Sequence, residues 1–101
     1  MKRFVLSPAA AADIEQIEAF LDEHAPHATD AVLARLRDAM RRVASMPGVG
    51  HLRQDLADEP LRLLPVWSYL VIDRTTTPVE IVRVVHGARD VGKALRRRPR
   101  R

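Results

Sequence analysis

The chain has no cysteine and few aromatics: two Phe, one Trp and one Tyr in 101 residues. Without cysteine there is no disulfide, no thiolate metal site and no thiol nucleophile. That suits a reducing compartment, and the expected location is the cytoplasm. Rows of aromatic faces for stacking on single-stranded nucleic acid are missing too. No apolar run approaches the roughly 20 residues that span a bilayer, so no membrane contact is expected. The basic start, Met1-Lys2-Arg3, is not followed by an apolar core and a cleavage site. Asp13, Glu15 and Glu18 stand where a signal peptide would be apolar. The four glycines form no phosphate-cradling loop, so no nucleotide cofactor is expected. His24, His27 and His51 show no metal-ligand spacing, and Pro26 separates the first two at a helix junction; no metal is expected.

What is present describes one ordinary globular domain, with 47% apolar and 30% charged residues. The net charge of +4 is unevenly spread. Five of the last six residues, Arg96 to Arg101, are Arg, and without them 12 basic residues face 13 acidic ones. Residues 1–95 are therefore read as the domain and 96–101 as a disordered Arg-rich tail with nothing apolar to bury. Between Phe4 and Ala34 there are six acids and no Lys or Arg, whereas from Arg35 onward 15 basic residues face 7 acidic ones. The second half is the part that would attract an acidic partner or nucleic acid.

Arg3-Phe4-Val5-Leu6 reads as a short strand. Ser7 then caps a helix that starts at Pro8, a residue whose missing N–H costs nothing at that position. Ala10, Ile14, Ile17 and Leu21 make the apolar stripe, with Phe20 beside it. Asp13, Glu15, Glu18, Asp22 and Glu23 are expected to face water. Pro26 opens a second helix with Val32, Leu33, Leu36, Met40 and Val43 inward, stopped at Met46-Pro47-Gly48. Val49 to Pro60 reads as a loop. Leu61–Val66, Tyr69–Arg74 and Val79–His86 are β-branched-rich strands, and their short connections imply an antiparallel meander. Trp67-Ser68 lacks the Gly or Asn of a tight hairpin turn, so an irregular connection is expected. Asp90 to Leu95 reads as a brief helix. The fold class is α+β, ordered β-α-α-β-β-β, with a helical hairpin packed on a small antiparallel sheet.

Several motifs in this order carry a family likeness. Leu6-Ser7-Pro8-Ala9-Ala10 with Asp13-Ile14, Pro47-Gly48-Val49-Gly50 with Arg53-Gln54-Asp55-Leu56, Tyr69-Leu70-Val71-Ile72, and Ile81 through Asp90 resemble the RelE/ParE toxin superfamily. The likeness runs from about Phe4 to Asp90. It implies the toxin of a type II toxin–antitoxin system, whose antitoxin wraps it with a C-terminal segment and touches operator DNA on its own account. Two activities occur on this fold. ParE-like members inhibit DNA gyrase by binding, and RelE-like members cut mRNA on the ribosome. An inactive member that serves only the repressor complex is a third reading. The ending His86-Gly87-Ala88-Arg89-Asp90 favours ParE, while an enzyme stays open because of His86.

For an RNase, a base, an acid and cations are needed at the scissile phosphate. The candidates are His86, Arg83, Arg62 and Arg53. Strand alternation places Arg83 and His86 on opposite faces, which separates them unless the strand bulges near Gly87. Arg83 is expected to pair with Asp73, Glu80 or Asp55. For a binding protein, the candidate contacts are Arg53, Arg62, Arg89 and Trp67, with the two Arg at 53 and 62 expected to be exposed.

Overall fold

The computed structural model describes residues 4–45 and 61–87, and residues 51–53 through their backbone. The expected tail, the expected helix over Asp90–Leu95 and Arg89 lie outside the described residues.

Strand β1 (Phe4–Leu6) leads into helix α1 (Pro8–His24). A 3₁₀ turn (Pro26–Ala28) joins it to α2 (Thr29–Ser45), and β2 (His51–Arg53), β3 (Leu61–Val66), β4 (Tyr69–Arg74) and β5 (Val79–His86) follow. The helical hairpin and the β3–β4–β5 meander are as the periodicity requires. Two details differ. The stretch read as a loop contains β2, which pairs antiparallel with β3. The sheet is mixed rather than wholly antiparallel: its order is β1-β5-β4-β3-β2, and β1 lies parallel to β5. The chain crosses by way of two helices to the far edge and returns strand by strand, so its last strand lands beside its first.

Ser7 makes the joint between strand and helix. Its N–H donates to Ile81 O at 2.9 Å, extending the β1–β5 pairing by one residue. Its Oγ accepts from Ala10 N at 3.0 Å, capping α1, and donates to Val82 O at 2.8 Å. From there α1 runs along β5 in the strand's own direction, over the length that three-residue β1 leaves uncovered.

The main core lies between the helices and one sheet face. Leu36, Val43, Val71, Ile81 and Val84 are each at most 2% exposed there, and each such aliphatic contributes about 1.5–3 kcal/mol by leaving water. A second cluster, Leu61, Leu63, Ile72, Val82 and Val85, is made of strand residues alone and belongs to the opposite face.

The strand β5 does not alternate cleanly. Ile72 pairs with Arg83 but Asp73 pairs with Ile81, so Val82 is an extra residue in a β-bulge. Beyond it the faces exchange: Ile81 and Val84 share the helix-side core, while Val82 and Val85 share the other cluster. Strict alternation would have separated Ile81 from Val84.

Candidate functional site

The candidate residues divide between two places. The first is the interior of the sheet's helix-facing side. Arg62, expected to be exposed, is 4% exposed, because β3's inward positions at Leu64 and Val66 carry it under α2. Its Nε and Nη2 donate to Asp73 Oδ2 at 3.1 and 2.6 Å, and Nη2 also donates to Val43 O at 3.3 Å. Asp73 is fully buried on the paired strand, opposite Arg62 in register. Burial pushes its carboxyl above the usual carboxylate range, and Arg62's hydrogen bonds oppose that only in part. Its Oδ1 has no hydrogen-bond partner. The pair costs desolvation as well as giving attraction, so its presence is weak evidence for stability.

Arg83 pairs with Asp13, a carboxylate not among its expected partners: past the bulge it reaches α1, where Asp13 holds it in a two-pronged pair, while Asp55 lies outside the described residues. Nε donates to Asp13 Oδ2 at 2.7 Å and Nη2 to Asp13 Oδ1 at 2.8 Å. That bonding to Asp13 raises the guanidinium's already high pKa, outweighing the effect of burial. Asp13 Oδ2 also accepts from Val84 N at 2.9 Å, where a neighbouring strand's carbonyl would sit. Asp13, expected to face water, is 8% exposed. Its spacing was the missed signal: it lies three residues after Ala10 and four before Ile17, within the buried stripe. Glu80 instead pairs with Arg74 on the adjoining strand. These two pairs border a cleft of about 660 Å³ between the start of α1 and β5, lined also by Ser7, Ala12 and Gln16.

The second place is the end of the sheet where β5 finishes. His86 is exposed there and meets the Tyr69 ring edge-on, 5.1 Å between centroids. Tyr69 packs against the main core, and burial raises its phenol pKa. The β3–β4 connection is tight, not irregular: Val66 pairs with Tyr69, and Trp67 supplies the left-handed residue at φ 54°. Gly87, at φ 81°, donates its N–H to Ser68 O at 2.6 Å and ties β5's end to this turn. Trp67 is 58% exposed, and the Arg35 guanidinium of α2 lies over its ring, 4.6 Å from the centroid. An exposed cation–π contact of this kind is worth about 0.5–1 kcal/mol. Arg35 was not singled out in the sequence, since nothing in spacing links it to Trp67.

Of the RNase candidates, the structure therefore does not join the three whose side chains are described, Arg62, Arg83 and His86. Arg62 and Arg83 lie on separate carboxylates under the helices, and His86 stands at the exposed end beside an aromatic ring. Arg53 lies on β2, whose side chains fall outside the described residues. Among the described residues, no cluster of His, Asp or Glu is arranged to hold a metal, and no helix is long and apolar enough to cross a membrane.

No curated protein sequence matches the chain. Among solved structures, one from the chromosomal ParDE toxin–antitoxin system of P. aeruginosa superposes with a TM-score of 0.70. It is 17% identical, and the match covers 86% of this chain and 97% of that one. At that identity the likeness is one of fold, and it is the fold built above from strand order and helical hairpin. The family model for the ParE toxin of type II toxin–antitoxin systems, parDE, matches residues 4–91. With nearly the whole domain matched, this chain belongs to the ParE toxin family of type II toxin–antitoxin systems.

Proposed function

We propose that the protein is a toxin that acts by binding, as a ParE-like inhibitor of DNA gyrase in the cytoplasm, and that a cognate antitoxin neutralises it. The observation that carries this reading is the state of the sheet's arginines. RNA cleavage through the 2′-OH needs a base, an acid and uncommitted cations around one phosphate. Here Arg83 is held by both oxygens of Asp13, and Arg62 is buried on Asp73. Freeing Arg62 would strand a charge in the core. With no such constellation among the described residues, the reading is of a toxin that acts through the surface it presents. The antitoxin's C-terminal segment, unfolded alone and ordered on the toxin, would carry acidic and apolar residues to suit the basic second half of the chain. Operator DNA is then reached only through the antitoxin.

The test is gyrase supercoiling with the purified full chain, run beside mRNA cleavage on translating ribosomes. Inhibited supercoiling with trapped, cleaved DNA is the expected result. Cleaved mRNA with normal supercoiling would overturn the proposal in favour of a RelE-like nuclease and make His86 the first residue to substitute. No effect in either assay would mark an inactive member that serves only the repressor complex.

A further inference from the structure

The exposed end of the sheet gathers side chains that the core does not need. Trp67 and Phe20 are each 58% exposed, more than any other large apolar residue described. Trp67 occupies a backbone region that bulky side chains avoid and that Gly or Asn enters freely. A turn optimised for folding alone would not place Trp there; sparsely populated backbone regions gather at sites where surroundings and function hold them. Arg35 lies over the indole. Among the described residues no carboxylate pairs with it, and Asp38, one turn on, pairs with Arg41 at 3.4 Å. The turn is anchored from beneath by Gly87's bond to Ser68, and Tyr69 and His86 adjoin it. Because α1 runs in the direction of β5, its last turn, where Phe20 stacks on His24 at 4.2 Å, lies toward the same end.

Trp, Tyr and Arg are the residues that dominate protein–protein binding energy when they cluster on a rigid support. We infer that Trp67, with Arg35 stacked on it, is the anchor by which this toxin grips its target protein, and that the matching target surface carries a carboxylate beside an apolar side chain. Arg35 meets the carboxylate and the indole covers the apolar group. The stacked guanidinium is already ordered, so little freedom is lost on binding. This rests on the binding reading above, in which inhibition comes from a surface and not from a cleavage site.

The test uses the full chain with intact gyrase as the probe. The concentration that halves supercoiling is measured for the wild type, Trp67→Gly, Arg35→Glu and Arg37→Ala. Glycine suits the left-handed turn, so Trp67→Gly keeps the fold, checked by its thermal midpoint. Trp67→Gly and Arg35→Glu are each expected to raise that concentration at least tenfold. Arg37→Ala, on another side of the same helix, stays within twofold. Since Trp67 is the only Trp in the chain, 5-fluorotryptophan puts one fluorine label at this site, and its resonance is expected to shift or broaden when gyrase is added. Inhibition by both variants within twofold of wild type, or a fluorine signal that gyrase leaves unchanged, overturns the inference while leaving gyrase inhibition standing. A wild type that does not inhibit gyrase overturns both.

Discussion

Two regions of this molecule hold arginine in opposite ways. Under the helices, Arg62 and Arg83 are drawn onto carboxylates, Arg62 sealed from water and Arg83 half-buried. At the far end of β5, Arg35 lies in the open on the face of Trp67. The residue type is the same, and its partner decides what it does. A guanidinium on a carboxylate inside the protein organises the fold and has no charge to spare. One stacked on an exposed ring keeps its charge and its hydrogen-bond donors for another molecule. A basic half of a sequence is thus not one electropositive surface, because some of its charge is spent inward.

Breaking the interior half of this contrast should have the largest effect. Arg62→Met leaves Asp73 ionisable, fully buried and without a cation, which costs about 3–5 kcal/mol. Urea unfolding at pH 7 would show it as a lowered midpoint with unchanged slope. Adding Asp73→Leu removes the stranded carboxyl and should recover most of the loss. Failure of the double variant to recover would mean that the pair contributes net stability and is not merely tolerated. Asp73's raised pKa gives the pH dependence its sign. A carboxyl whose folded pKa lies above its unfolded value stabilises the fold most when protonated. That contribution declines as pH rises from the unfolded value, near 3.8, through the folded one. In Asp73→Asn this part of the pH dependence should disappear.

Next in size is Asp13→Ala. It unseats Arg83 and leaves Val84 N–H without its acceptor. Hydrogen bonds to charged groups are worth about 1.5–3 kcal/mol each, and partial exposure of Arg83 lets water recover some of that, so a loss of about 2–3 kcal/mol is expected. Asp13→Asn keeps an acceptor for Val84 and should lose less. If the two variants are equally destabilised, the charge on Arg83 matters and the edge of β5 does not. Hydrogen exchange at Val84 separates these outcomes directly.

The helices, the meander and the identity of the core strands could be read from periodicity, because Ile14, Ile17, Leu36 and Val43 repeat at helical spacing and β-branched residues crowd β4 and β5. The parallel β1–β5 pairing could not, since two strands whose first residues, Phe4 and Val79, lie 75 residues apart share no local signal. The bulge at Val82 was hidden for a related reason: it is fixed by what β4 and α1 demand of β5, not by any Gly in β5 itself. Past that one extra residue Arg83 meets Asp13, a partner that spacing within the strand could not suggest. Trp67 was visible as an aromatic in a turn, but its left-handed backbone and its cation were not. Propensity argued against a tight turn there, and tertiary context prevailed.

The smallest effect expected concerns the joint between β1 and α1, at Ser7, on the interior side of the comparison. Its hydroxyl serves two masters, accepting from Ala10 N and donating to Val82 O. Ser7→Ala removes a helix cap, which costs about 1 kcal/mol, and leaves the Val82 carbonyl to find water at a partly buried site. A thermal midpoint lower by about 4–8 °C corresponds to that loss in a domain of this size. Ser7→Gly should be milder, because glycine at a cap exposes the helix's first N–H groups to solvent. Ser7→Thr keeps the hydroxyl and should be nearly neutral. If Ala and Thr prove equally harmful, the joint depends on Ser7's backbone bond to Ile81 and the fit around it, and the hydroxyl is incidental. If only Ala is harmful, the side chain couples α1's start to the bulged strand, and through Val82 and Arg83 the interior pair depends on the same joint.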